Sequence, residues 1–438
     1  MSKTEEAVRI RRSFGLYPSP AELVVTLLDD LLDDTCTVSK KRIDFVRTSF
    51  AKNIEKTFQP VQPENRQMST ESGSSDDSDR AASDLKVRVR DRYKPCSLVT
   101  GEEATAAVWR RQSVDIQPDP NAKTLLTAVD NADFNVFEFA ETLGRDALFT
   151  LGTYILHREG LLTQFKLPKQ KVKNYLQHIA DGYSQHPYHN STHACCVLHT
   201  TYKIFKEGGV DRTQFQPQAI LACYLAAMTH DFDHPGTTTE YLIKTEDELA
   251  IRYNDISPLE NYHVSAAWSL LMQEDLNFIS MLSSTVKRDL RELWIELVMA
   301  TDMKKHEQLL SCFRSQAICQ QEELEISRSI ILQMVVKMAD LGHLALPLQQ
   351  HKMWVGLLEE EFYRQGDLEK EKSLPVSKYM DREKPGISSS QIEFFESVAL
   401  PAFEIFSAVF SDSRAMTSRV QRNYKYWQQI KKAGINSN

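Results

Sequence analysis

The sequence predicts an all-α fold: a compact multi-helix domain behind a partly helical, partly disordered N-terminal extension. Three observations carry this. Glycine supplies only 15 of 438 residues, about half its ordinary share, and it is the residue that most weakens helix interiors after proline. Apolar residues recur at three- and four-residue steps rather than alternating. Neither G-x-G-x-x-G nor G-x-x-x-x-G-K-S/T occurs, so the glycine loops that follow a strand and cradle phosphate are missing. The 42% hydrophobic and 26% charged content is that of a globular chain, which excludes wholesale disorder and collagen-like repeats. There is no 20- to 50-residue repeat of the kind that builds a solenoid.

The elements follow in order. Ser19, Pro20 and Glu22 occupy the N-cap, first and third positions of a helix start, ahead of Leu23, Val24, Leu27, Leu28, Leu31 and Leu32 at helical spacing. A second stripe, Ile43, Val46, Phe50, Ile54 and Phe58, stops before Pro60. Residues 1–61 therefore read as amphipathic helices whose apolar faces need a cover, either each other, the helical domain that follows or a second subunit, and through which a homodimer or a regulatory partner would bind. Residues 62–130 read as a disordered linker, because Gln62 to Asp84 is almost devoid of apolar side chains and rich in Ser and Asp. Within it Arg110-Arg111-Gln112-Ser113 fits a basophilic-kinase site, which makes Ser113 a candidate phosphosite. Helical patterning then dominates residues 131–432, beginning with Val136, Phe139, Ala140 and Leu143 and continuing with Val172, Tyr175, Leu176 and Ile179.

Bulk properties narrow the function. A net charge of −8 has the wrong sign for coating nucleic acid, so no nucleic-acid partner is expected. The longest apolar run, Ala219 to Met228, is half of what a bilayer crossing needs, and no transmembrane segment is expected. Seven cysteines, odd in number and without C-x-x-C pairs, read as free thiols of a cytoplasmic protein.

Chemistry concentrates in the histidines, seven of which fall between His178 and His234. His189 and His193 are four apart, on one face if that segment is helical, as Ala194, Val197 and Leu198 imply. The apolar run to Met228 delivers His230 and Asp231 straight from the core, where an unpaired carboxylate is costly and a cation would relieve it. Asp233 and His234 follow as candidates for holding a metal-bound water. A second apolar helix ends in Asp340, which alone reads equally as a solvent-facing helix end. Taken together, His193, His230, Asp231 and Asp340 make a two-histidine, two-carboxylate set suited to zinc with positions left open for water and a second metal.

These residues stand in a longer series of motifs. YHNSTH, THDFDHPG, LAIRYNDISPLENYH, ATDMKKH, KMADLGH, EEEFYRQGDLEKEK and SSSQIEFF occur in the order seen in class I cyclic-nucleotide phosphodiesterases, and the sequence resembles that family from about Asn131 to Trp427. His343, His351 and ENYHVSAA are most similar to its calmodulin-dependent branch, while RYNDISPLENYH and MDREK are also similar to a cyclic-GMP-specific branch. The resemblance implies an HD-type all-α metallohydrolase domain that converts cyclic AMP, cyclic GMP or both to the 5′-monophosphate and so ends cyclic-nucleotide signalling. It implies two divalent ions: zinc on His193, His230, Asp231 and Asp340, and magnesium or manganese bridged through Asp231, with His234, Glu260 and Thr301 holding waters. His189 matches the general acid. Tyr188, His343, Leu358, Gln391 and Phe394 match substrate-pocket positions, Gln391 by reading a purine edge, Phe394 by stacking and Leu358 by closing the far side.

The sequence departs from the family pattern at four places. Cys196 replaces an aspartate after the first metal histidine, Thr239 an asparagine, His343 an asparagine, and His351 the tyrosine that helps fix the glutamine in cyclic-AMP-selective members. None is one of the four proposed ligands. Another HD-type nucleotide phosphohydrolase would share the ligands but has no use for the Gln391 and Phe394 pair; a non-catalytic scaffold would not need all four ligands and His189 intact.

Overall fold

The computed structural model describes residues 125–131, 134–319, 327–384 and 386–433. The two N-terminal stripes and Ser113 lie outside the described residues. The end of the expected linker does not: Leu126 and Val129 are buried, and Asp130 is paired with Arg158 and Lys206 and accepts a hydrogen bond from Tyr202 at 2.7 Å. The folded chain thus starts before Asn131, a boundary that two isolated apolar residues could not signal by periodicity.

Sixteen α-helices are described, with no strand among the described residues. They are α1 (Val136–Leu143), α2 (Ala147–Arg158), α3 (Leu161–Gln164), α4 (Lys169–Gly182), α5 (Ser191–Glu207), α6 (Pro217–Thr229), α7 (Thr239–Lys244), α8 (Glu248–Arg252), α9 (Pro258–Leu271), α10 (Ser284–Met299), α11 (His306–Cys319), α12 (Arg328–Asp340), α13 (Leu348–Glu371), α14 (Ile387–Phe394), α15 (Leu400–Val409) and α16 (Arg414–Lys432). No single described helix is long and apolar enough to cross a membrane.

The core is organised around α6. Every residue from Ile220 to Thr229 is buried, and a helix apolar on all sides must be enclosed; α2, α5, α10 and α12 enclose it. Two hydrogen bonds pin its C-terminal end: Trp294 Nε1 of α10 donates to Thr229 Oγ1 at 3.0 Å, and the Tyr183 hydroxyl donates to the Met228 carbonyl at 3.0 Å. The next two residues, His230 and Asp231, therefore leave a fixed point. The turn beyond them depends on Gly236, whose φ is +73° and where a Cβ would lie 2.5 Å from the His186 ring. Gly366 has a similar function in α13, since a Cβ there would meet the Met380 carbonyl oxygen at 1.8 Å and push away the loop that carries Tyr379. Between α14 and α15 the helix passes through a π-turn over Phe395–Ala399, just before Pro401, which has no N–H to offer the carbonyl four residues back.

Candidate active site

Three helix ends converge. Asn190 caps α5 by accepting from Thr192 N at 2.9 Å and His193 N at 3.1 Å, which starts the helix so that His193 lies in its first turn. His230 and Asp231 follow α6, and Asp340 ends α12. Among His193 Nε2, His230 Nε2, Asp231 Oδ2 and Asp340 Oδ1, each histidine nitrogen lies 3.0 to 3.5 Å from the other and from both carboxylate oxygens. Donors bound to one cation at about 2.0 to 2.2 Å lie about 3.0 to 3.5 Å apart in tetrahedral or octahedral geometry, so the set fits a divalent cation. His230 Nδ1 lies 3.2 Å from the Ala227 carbonyl, which assigns the proton to that nitrogen and leaves the Nε2 lone pair for the cluster.

The electrostatics agree. Burial opposes ionisation of Asp231 and Asp340, but the facing histidines hold both carboxyls well below the usual range. Burial likewise opposes charge on His230, yet Asp231 raises it to about 10, while His193 is pushed down, first by burial. Two imidazolium ions cannot sit 3.2 Å apart, so the pair can carry one positive charge at most; a divalent cation meets the demand of the two carboxylates more fully.

His263 and His234 stand beside Asp231, Glu260 feels its charge, and Thr301 lies just past the end of α10. His263 Nδ1 donates to the Phe232 carbonyl at 2.7 Å, which leaves a buried, unpartnered Nε2 lone pair 4.0 Å from Asp231 Oδ1. Burial pushes His263 down to about 4. His234 accepts from Gly236 N through Nδ1 at 3.0 Å and joins Asp231 and His263 in a further group of metal-ligating type. Glu260 Oε2 is buried without a partner, and burial, reinforced by Asp302, pushes this carboxyl up to about 7. The Thr301 hydroxyl donates to Val298 O at 2.8 Å, so its oxygen lone pairs stay free to accept.

His189 does not share a helix face with His193. It precedes the Asn190 cap, in a loop held by Glu361 of α13: Glu361 Oε2 accepts from the backbone N–H groups of Tyr188 and His189 at 2.9 and 3.0 Å, and Oε1 pairs with His189 Nδ1. Burial opposes the charged ring, but Glu361 outweighs it and raises His189 to about 9; the same pairing lowers Glu361 to about 2 against the effect of burial. The ring stacks on His234 at 3.9 Å and lies 6.0 Å from the His193 ring.

Between α13 and α14 lies a narrow cleft lined by Val355, Leu358, Phe362, Tyr379, Ile387 and Gln391, among others. Gln391 is buried and its Oε1 has no hydrogen-bond partner. Tyr188 and His343 do not line this cleft. Both are buried, with the Tyr188 ring against His193, His343 and Trp354, so they back the metal-type cluster instead. Phe394 is partly buried against the core. His351 is fully buried and accepts from Trp427 Nε1 at 2.8 Å through Nε2; no hydrogen bond joins it to Gln391. Cys196, where an aspartate was expected, is a buried thiol pushed up to about 12 by burial.

The sequence reading missed Glu361, His263, Phe362 and Tyr379. His263 was readable in principle, since it stands one turn after Glu260 on the same face of α9. Glu361 was hidden in an acidic run that resembles a solvated helix face.

The fold and cluster define an all-helical domain with a His/Asp cluster that fits a divalent cation, and a cleft between α13 and α14 with Phe362 and Tyr379 in its wall. The chain belongs to the 3′5′-cyclic nucleotide phosphodiesterase family, whose profile matches residues 188–420. It is 36% identical over 305 residues to the dual specificity calcium/calmodulin-dependent 3′,5′-cyclic nucleotide phosphodiesterase 1C of Mus musculus, covering 68% of this chain and 43% of that one. The corresponding phosphodiesterase 1 of Drosophila melanogaster is 34% identical over 290 residues, 66% of this chain and 34% of its own. This chain thus spans less than half the length of these two relatives. The crystal structure of the phosphodiesterase domain of the RhoPDE fusion protein from the choanoflagellate Salpingoeca rosetta superimposes with a TM-score of 0.65 at 26% identity, over 71% of this chain and 98% of that one. The family and fold expected from the motif order are therefore confirmed.

Proposed function

We propose that this domain hydrolyses the 3′-phosphoester bond of cyclic AMP and cyclic GMP to give the nucleoside 5′-monophosphate. The observation that carries this reading is the convergence of His193, His230, Asp231 and Asp340 beside the His189–Glu361 pair. His193, His230, Asp231 and Asp340 would hold zinc, and Asp231, with His234 and His263 beside it, would share a magnesium or manganese ion whose waters Glu260 and Thr301 would help to hold. Such cations supply Lewis acidity, which acidifies water and neutralises phosphoryl charge. Free buried thiols at Cys195, Cys196 and Cys223 support a cytoplasmic setting. The decisive experiment is hydrolysis of both cyclic nucleotides by the purified protein with Mg²⁺ or Mn²⁺; activity that survives a chelator would defeat the reading.

His189 is the proton donor in this scheme. Glu361 occupies Nδ1, so Nε2–H is the proton free to reach the leaving 3′-oxygen. With the ring protonated up to about pH 9, loss of its proton sets the alkaline limb of turnover, which is expected to fall through that pH. Glu361→Gln removes the charge that opposes burial, so the alkaline limb should move toward acid by roughly two pH units and the rate at pH 8 should drop about tenfold. A kcat–pH profile unchanged in that variant would contradict the role given to Glu361.

Selectivity follows from the free amide. With Gln391 Oε1 unpartnered and His351 tied to Trp427, the amide can present either orientation, and both cyclic AMP and cyclic GMP should be substrates. The ratio of kcat/KM values is expected within about a hundredfold, less than about 2.7 kcal/mol; a larger preference would mean that another contact fixes Gln391.

A further inference from the structure

Lys337 is only 1% exposed, and among the described residues no carboxylate lies within 4.0 Å of its ammonium. A buried lysine without a close counter-ion is costly, so what it touches needs explaining. Its Nζ donates to the Thr301 carbonyl at 2.7 Å, with the Asp302 carbonyl at 3.4 Å and Met303 Sδ at 3.7 Å. The chain of contacts continues outward. Asp302 accepts from the Ser257 hydroxyl at 2.6 Å and from Lys304 N at 2.8 Å. Ser257 stands immediately before α9, in a left-handed conformation with φ +43°, and Glu260 lies in the first turn of that helix. Such a backbone persists only where its surroundings hold it. One ammonium therefore links three elements: α12, three residues before Asp340; the corner at Thr301 and Asp302; and the start of α9 with Glu260. Burial pushes the ammonium below its ordinary range, an effect that the carboxylates of Asp340, Asp302, Glu260 and Asp231 offset only in part.

We infer that Lys337 is a positioning residue for the second cation: through the Thr301–Asp302 corner and Ser257 it fixes Thr301 and Glu260 around the outer side of Asp231. This rests on the two-cation reading above. The alternative sign is physically distinct, because a buried ammonium acting only through its charge would repel a cation, and removing it would tighten binding.

The test is a Mn²⁺ titration of the full chain, with free Mn²⁺ followed by electron paramagnetic resonance and zinc content measured in parallel. In Lys337→Met the weaker Mn²⁺ step should loosen by about tenfold or more while zinc stays at the wild-type level, as expected when a group that orients a metal's surroundings is lost. Millimolar Mn²⁺ should restore most of kcat, which a general folding defect would not allow. Ser257→Ala cuts the same tether without opening a cavity beneath α12 and should loosen that step about three- to tenfold. Unchanged Mn²⁺ affinity in either variant, tighter Mn²⁺ binding in Lys337→Met, or parallel loss of zinc and Mn²⁺ would each overturn the inference alone. A wild-type protein with a single cation-binding step would overturn it together with the two-cation reading.

Discussion

Asp231→Ala is expected to abolish turnover of both cyclic nucleotides, by at least about a thousandfold, since a metal clamp supplies several kcal/mol of transition-state stabilisation at about 1.4 kcal/mol per tenfold. Asp231 is the one carboxylate that faces both groups of donors: Oδ2 lies 3.0 Å from His230 Nε2, and Oδ1 lies 4.0 Å from the unpartnered Nε2 of His263. Its loss removes a ligand from the first set and the bridge to the second. The fold should survive, because α6 ends on the Trp294 and Tyr183 hydrogen bonds, not on the carboxylate, and His230 relieves its own lost partner by giving up a proton. The check is elemental analysis of purified variant beside a cyclic-nucleotide assay and a circular-dichroism spectrum. Wild-type metal content with near wild-type activity would defeat the binuclear assignment.

Metal-type ligands were legible in the sequence because each sits where an apolar helix stops. Ala219 to Met228 and the stretch just before Asp340 have no solvated face, so the groups at their ends leave the core directly: His230 is buried, Asp231 and Asp340 are partly enclosed, and the four taken together favour a cation. What failed to read through depends on contacts between elements far apart in the chain. Glu361 reaches residues 172 and 173 positions earlier, and Lys337 reaches a corner 36 positions earlier. In sequence the first looks like one more acid in EEEFYRQGDLEKEK, and the second like one polar residue in an apolar helix. Tyr379 enters the cleft from a loop with φ +66°, a conformation that no periodicity encodes. The placement of His189 and His193 was misjudged for a local reason. Four-residue spacing gives a shared face only if both residues are helical, whereas Asn190, a strong N-cap residue followed by Ser191 and Thr192, starts the helix between them.

That displacement of His189 from the helix gives it a task separate from metal binding, and His189→Asn should separate the two. The substitution is expected to lower kcat on cyclic AMP by roughly 10²- to 10⁴-fold, the usual contribution of a positioned proton donor, with metal content unchanged. Glu361 is not left as an uncompensated buried charge in this variant, because the backbone N–H groups of Tyr188 and His189 still bond its Oε2, so the loop should keep its place. The leaving group then discriminates between roles. A ribose 3′-oxygen departs as a strongly basic alkoxide unless it is protonated, whereas a p-nitrophenolate needs no proton, so a p-nitrophenyl phosphodiester should lose less than about tenfold in the same variant. The prediction is read as the ratio of the two losses, which cancels any shared effect on folding or metal loading. Equal losses on the two substrates would move His189 from proton donation to orientation of the phosphate or support of the cation site, and Glu361 would move with it.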